Sequence, residues 1–171
     1  YRKKVVAVVG GGDTACEEAV YLAHLANKVY LIVRKDYLRA SKIMQKRVMD
    51  TPNIDVLFET QTIGLFGENS LEGAHLVKAK DTDREEYMDI AINGFFLAIG
   101  HKPNTDIFLP ALHVDENGYI KTIENTTATN IPGVFAAGDV ADPRYRQAVT
   151  AAASGCKAAI DAEKYLIENE L

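Results

Sequence analysis

The stretch Val5-Val6-Ala7-Val8-Val9-Gly10-Gly11-Gly12-Asp13-Thr14-Ala15-Cys16-Glu17-Glu18-Ala19 decides how this chain folds. An unbroken apolar run dominated by valine predicts a strand covered on both faces, as in a parallel sheet. Three glycines end it. Thr14 to Ala26 then predicts a helix, with Ala15, Ala19, Leu22 and Ala26 at three- and four-residue spacing and Thr14 with Glu17 as a capping box. Gly10-x-Gly12-x-x-Ala15, between a buried strand and a helix, is the context in which a glycine fingerprint signifies dinucleotide binding. Gly10 makes the tight turn, Gly12 lets a pyrophosphate approach the backbone, and Ala15 keeps the helix close to the strand. The phosphates would meet N–H groups near Gly12, Asp13 and Thr14, at the positive end of the helix dipole. The competing reading is a glycine-rich turn without a ligand.

Working outward, Lys28 to Val33 predicts a second apolar strand. Ser41 to Met49 predicts a helix with Ile43, Met44 and Val48 inward, and Ile54 to Phe58 a third strand. Strand, helix, strand, helix, strand is the pattern of a doubly wound, Rossmann-like α/β fold with a parallel sheet. From Thr60 to Ile92 the period becomes strand-like. Leu71 to Val77 and Glu86 to Ile92 flank the polar turn Asp81 to Arg84, predicting an antiparallel β-meander laid against the parallel sheet. Phe95 to Ile99 reads as another buried strand ended by Gly100, and the turn-rich His101-Lys102-Pro103-Asn104 marks the main boundary. Beyond it come the Glu116-Asn117-Gly118 turn, a short strand at Tyr119 to Thr122, a buried strand at Val134 to Ala137, and a long helix from Gln147 to Asn169. This second unit, residues 101–171, is short of the apolar material a stable domain needs.

Composition narrows the function. The chain has 171 residues, 47% apolar and 25% charged, the balance of a soluble globular protein. No apolar run reaches the roughly 18 residues of a spanning helix, so no membrane role is expected. The run after Tyr1-Arg2-Lys3-Lys4 is too short for a signal peptide. A net charge of −5 argues against general nucleic-acid binding. Cys16 and Cys156 lie far apart and form no C-x-x-C or zinc spacing, and His24, His75, His101 and His113 show no ligand pattern, so no metal is expected and a reducing, cytoplasmic setting is. Tyr119-Ile120-Lys121 is not the four-residue-spaced Tyr/Lys pair of short-chain dehydrogenases.

The end of the second strand selects the nucleotide. An NAD site wants an acid there to hold the ribose 2′-hydroxyl. This chain has Arg34, Lys35 and, one helical turn on, Arg39, which are natural partners of a 2′-phosphate. NADPH is therefore expected. The alternative is a solvated basic face that continues through Lys42, Lys46 and Arg47. A second signal is Val134-Phe135-Ala136-Ala137-Gly138-Asp139, which sets a carboxylate at the carboxyl end of a predicted strand, where open α/β sheets bind ligands. Asp139 would accept hydrogen bonds from a polyol chain, or else it merely caps the next turn.

Taken together these residues resemble the low-molecular-weight thioredoxin reductases, pyridine nucleotide-disulfide oxidoreductases that use FAD and NADPH. The matching pieces are Gly10 to Ala19, Arg34-Lys35 with Arg39-Ala40, Ala98-Ile99-Gly100-His101-Lys102-Pro103-Asn104-Thr105, Gly133 to Val140, and Tyr145-Arg146-Gln147-Ala148. The resemblance implies that residues 1–100 are most of an NADPH domain and residues 101–171 the C-terminal part of an FAD domain. It implies that Gly138, Asp139 and Val140 serve the flavin, with Asp139 at its ribityl chain, and that Arg146, Gln147 and Ala148 lie at the isoalloxazine edge. Glu17 would lie near the nicotinamide, and Ile99 and Gly100 count among the cofactor-binding residues. In the family a hydride passes from NADPH to FAD, then to a cysteine pair and on to thioredoxin, in a homodimer. Two departures stand out: Val33 replaces a usual histidine, and Lys35 an arginine. The redox C-x-x-C and the first FAD fingerprint are absent, so the chain reads as a fragment, inactive alone, with the FAD site only partly present. A stand-alone NADPH-binding module, a ferredoxin–NADP reductase and an alkyl hydroperoxide reductase flavoprotein are the alternatives.

Neither cysteine replaces the missing pair, because exchange needs a second thiol to resolve the mixed disulfide. Both are expected to be small buried thiols. Cys16, near a helix N-terminus, is the one whose thiol that terminus would acidify.

Overall fold

The computed structural model describes residues 1–170 and divides into two compact units, Tyr1–Gly100 and His101–Leu171. In the first unit, β1 (Val5–Val9), β2 (Lys28–Ile32), β3 (Ile54–Leu57) and β7 (Gly94–Leu97) form one parallel sheet in the order β3-β2-β1-β7. Between them run helices α1 (Asp13–Ala23) and α2 (Lys42–Met49) and an antiparallel sheet of β4 (Thr60–Phe66), β5 (Gly73–Lys78) and β6 (Glu86–Ala91), in the order β4-β5-β6. The mixed α/β architecture matches the expected class.

The unbroken apolar strands have a physical reason. Val6, Val8, Val29 and Leu31 pack with Ala15, Ala19 and Leu22 of α1 and Met44 and Val48 of α2. Their sequence neighbours point the other way: Ala7 and Ile32 pack with Ala74 and Leu76 of β5 and with Ile92. A strand alternates faces at every residue, so a sheet covered by helices on one side and a meander on the other needs apolar residues at both parities.

Several expected boundaries move. α1 starts one residue early with Gly12 as N-cap and no side-chain cap, so the Thr14/Glu17 box does not form. α1 also stops at Ala23, and Ala26 is buried in the turn beyond, its N–H bonded to the Leu22 carbonyl at 2.8 Å. Ser41 caps α2 by accepting from the Met44 N–H, and Met44 and Val48 face inward while Ile43 is 68% exposed. Ile43 lies one residue, about 100° of helix, from Met44, too far round to share its face. Phe95 to Ile99 is not a buried strand throughout. β7 is one of the sheet's two edge strands, ends at Leu97, and leaves Leu97 and Ile99 exposed.

In the second unit the expected strands Tyr119 to Thr122 and Val134 to Ala137 reduce to isolated bridges, Val114 with Ile120 and Ala128 with Phe135. Each segment finds one partner only, and the buried apolar cluster there is Leu112, Ile120 and Ala136. α3 (Ala148–Glu168) is capped by Gln147, whose side chain and that of Thr150 form a reciprocal capping box.

Candidate functional site

A cavity of about 710 Å³ opens in the first unit where the carboxyl ends of β1, β2 and β7 face β4. This lies within the size range of small-molecule sites. Of the residues expected at a nucleotide, Gly10, Arg34, Lys35, Arg39 and Ile99 line it. Gly12, Asp13, Thr14 and Glu17 stand at the start of α1, outside the lining, as does Gly100. Tyr37 and the β4 residues Thr60 to Leu65 line the cavity as well, and the sequence reading did not single them out. The strand-like period from Thr60 onward was the available signal.

The glycine turn is shaped by contact. Gly10 has φ +148°, and a Cβ there would collide with the Ala98 carbonyl oxygen and come within 2.8 Å of the Ala15 Cβ. At Gly12 a Cβ would meet nothing within 4 Å, so its missing side chain leaves open space beside the backbone. The first helical bond runs from the Cys16 N–H to the Gly12 carbonyl at 3.1 Å, so the N–H groups of Asp13, Thr14 and Ala15 precede the ladder. Open N–H groups beside a cleared backbone suit an anionic oxygen.

Asp13 is a carboxylate at that same helix end, yet it is engaged elsewhere. Its Oδ1 accepts from the Ser41 backbone N–H (2.9 Å) and from the Ser41 hydroxyl (2.8 Å), and these bonds hold its pKa below the usual value. The Gly11 carbonyl accepts from the N–H groups of Arg39 (2.6 Å) and Ala40 (3.1 Å). On the other side the Lys35 carbonyl accepts from the Glu59 N–H and the Val33 carbonyl from the Thr60 N–H, both at 3.0 Å. The cationic loop is thus fastened to the glycine turn at one end and to β4 at the other. Arg34, Lys35 and Arg39 are exposed and enter none of the ion pairs among the described residues. Asp36 lies in the same loop but not in the lining.

The candidate residues of the second unit gather around the start of α3. Gly138, Asp139 and Val140 form a single 3-10 turn rather than the end of a strand. Gly138 has φ +75° and donates its N–H to the Ser154 Oγ on α3 at 2.9 Å. The Val140 carbonyl accepts from the Ile120 N–H, while Asp139 is exposed. Arg146 has φ +49° and donates from Nη1 to the buried Tyr119 hydroxyl at 3.0 Å. The Asp142 carboxylate accepts N–H groups from Tyr145, Arg144 and Arg146, which depress its pKa. Gln147 caps α3, and Ala148 is its first residue.

The two thiols differ from expectation. Cys156 is exposed rather than buried. Cys16 is fully buried, and desolvation, reinforced by the charges of Asp13 and Glu17, pushes its pKa up to about 11 instead of down. Native alkylation with iodoacetamide should therefore give one adduct, at Cys156, and a second only in denaturant; peptide mass spectrometry showing early labelling of Cys16 would contradict this burial. Among the described residues no cluster of His, Cys, Asp or Glu could hold a metal ion, and no helix is long and apolar enough to cross a membrane.

Known proteins resemble this chain in sequence and in fold. The sequence profile of the family described as pyridine nucleotide-disulphide oxidoreductase matches residues 2–155. The thioredoxin reductase of Eremothecium gossypii is 52% identical over 170 residues, covering 99% of this chain and 53% of the relative. The mitochondrial thioredoxin reductase 2 of Saccharomyces cerevisiae is 51% identical, at 99% and 49% coverage. Among solved structures, a thioredoxin reductase from Streptococcus pyogenes superposes with a TM-score of 0.82 at 33% identity, over 98% of this chain and 54% of that one. One from Giardia duodenalis gives 0.76 at 41% identity, over 97% and 54%. The chain spans about half the length of the curated relatives it matches.

Proposed function

Because the chain belongs to the pyridine nucleotide-disulphide oxidoreductase family, we propose that it carries the NADPH-binding portion of a thioredoxin-disulfide reductase. The observation that carries this reading is the cavity that joins the glycine turn to three cations without acidic partners, Arg34, Lys35 and Arg39. The open N–H groups at the start of α1 receive the pyrophosphate, and the cations the 2′-phosphate. Arg34 offers a planar fork and Lys35 a point charge, so the arginine supplies the geometric selectivity. Glu17, exposed on α1, lies toward the nicotinamide, with Ile99 in the cavity wall and Gly100 next to it in the chain.

In the second unit, Gly138, Asp139 and Val140 with Arg146, Gln147 and Ala148 form the C-terminal part of an FAD site. The fit rests on an exposed carboxylate at Asp139 beside a glycine whose absent Cβ would approach only the Ala151 Cβ, at 3.9 Å. The chemistry FAD supplies when bound is acceptance of the nicotinamide hydride and release of an electron pair to a disulfide. The thiol pair for that disulfide is not in these 171 residues, since Cys16 and Cys156 form no C-x-x-C. The whole protein's partner is thioredoxin, and its assembly a homodimer. Two free thiols support a reducing, cytoplasmic compartment, although relatives named as mitochondrial show that the family is not confined to one.

Titration of NADPH and NADH tests the reading. The parent chain should prefer NADPH, and Arg34→Ala should weaken NADPH roughly tenfold or more, the worth of a charge-assisted hydrogen bond, while leaving NADH within about twofold. Equal affinity of the parent for both coenzymes would overturn the phosphate assignment.

A further inference from the structure

Two aromatic side chains stand in the wall of the cavity, and they are held differently. Phe95, on β7, packs against the cluster that contains Ala7, Ile32 and Leu76. Tyr37 lies 54% exposed, and its ring pairs with no aromatic ring or cation among the described residues. A lone exposed tyrosine is ordinary on a protein surface. This one differs because it lines a concave site and because its backbone is held. The next residue, Leu38, is buried in the core cluster that contains Val33 and Met44, and the N–H groups of Arg39 and Ala40 donate to the Gly11 carbonyl. A tyrosine on a fixed backbone has only two side-chain torsions to order, so it offers a flat face to a ligand with little loss of freedom.

Its place in the chain says which ring of the coenzyme it meets. Lys35 lies two residues before Tyr37 and Arg39 two residues after, and all three line the cavity. In NADPH the adenine and the 2′-phosphate hang from adjacent carbons of one ribose, so cations that hold the phosphate hold the base close by. The nicotinamide is separated from them by the pyrophosphate, which the glycine turn receives in the reading above, and by a second ribose. The other exposed apolar residues of the wall, Ile63, Leu65, Leu97 and Ile99, are aliphatic; they can keep water from a base but present no π face. We propose that Tyr37 is the platform on which the adenine base of the coenzyme stacks. This rests on the NADPH reading above and assigns a further binding residue within it.

The test compares the 171-residue chain with its Tyr37→Ala and Tyr37→Phe variants, titrated with NADPH and with adenosine 2′,5′-bisphosphate, alongside thermal unfolding without ligand. Because the side chain is exposed, both variants should melt with the parent. Tyr37→Ala should weaken both ligands to the same extent, roughly tenfold. Tyr37→Phe keeps the ring face and should hold both within about twofold of the parent. The chain has no tryptophan, so tyrosine emission is readable: the bisphosphate should quench part of it in the parent, and Tyr37→Phe should bind yet lose that quench. Unchanged affinity in Tyr37→Ala with a parent that binds NADPH would overturn this inference alone. So would a loss for NADPH but not for the bisphosphate, which moves the ring to the other half of the coenzyme, or a quench that survives in Tyr37→Phe. A Tyr37→Phe chain as weak as Tyr37→Ala would overturn it as well, by assigning the contact to the hydroxyl. A parent that binds neither ligand would instead bring down the nucleotide reading itself, and this inference with it.

Discussion

A Gly10→Val chain is expected to bind no measurable NADPH and to unfold well below the parent. Two costs add at this position. The backbone sits at φ +148°, which β-branched residues essentially never adopt. The new side chain would also drive into the Ala98 carbonyl and the Ala15 methyl, where β1, β7 and α1 converge. Together they destabilise by about 3 kcal/mol or more. Gly12→Ala supplies the contrast, because its methyl meets nothing within 4 Å and φ is an ordinary −91°. That variant should melt like the parent yet bind NADPH poorly, since the methyl occupies the space offered to the pyrophosphate. Thermal unfolding and coenzyme titration on the two variants separate architecture from recognition; a Gly12→Ala chain with parental affinity would show that the phosphates pass elsewhere.

The second large effect is expected at Leu31. This side chain is fully buried on β2, the strand between β1 and β3, on the face covered by α1 and α2. Leu31→Ala removes apolar contacts and leaves a cavity, at a cost of about 3–5 kcal/mol. In a unit of this size that lowers the melting temperature by roughly 12 °C or more. Ile43→Ala, on the solvent side of α2, should stay within about 0.5 kcal/mol of the parent. Circular dichroism melts of both variants check the assignment of faces, and equal losses would contradict it.

These contrasts show what the sequence reveals and what it hides. Val5 to Val9 announces a doubly covered strand because both parities are apolar, and the packing of Val6 and Val8 against helices and of Ala7 against the meander explains why. Ile43 misleads for the complementary reason: its type is apolar, but only its angle around α2 decides whether it is buried, and that angle depends on which neighbour the helix finds. Tyr119 to Thr122 and Val134 to Ala137 look like strands, yet a strand exists only by pairing, and each segment meets a single bridge partner. At the candidate site, the glycines and the cations were legible because their chemistry is local. The β4 residues Thr60 to Leu65 were not, since their place in the cavity wall depends on how β4 packs, which no residue type encodes. Cys16 shows the same limit. Helix position argues for an acidic thiol, but desolvation by packing dominates and the thiol stays protonated at neutral pH.

The fastening of the Arg34–Arg39 loop has a kinetic consequence. Its first residues are bonded to β4, and its last to the Gly11 carbonyl and, through Ser41, to Asp13. A segment already held at both ends surrenders little conformational entropy when a ligand arrives, where ordering a free backbone costs about 1–2 kcal/mol per residue. Coenzyme capture would then proceed at the pace of diffusional encounter, hastened by the cations and slowed by added salt, with no lag for a loop to arrange itself.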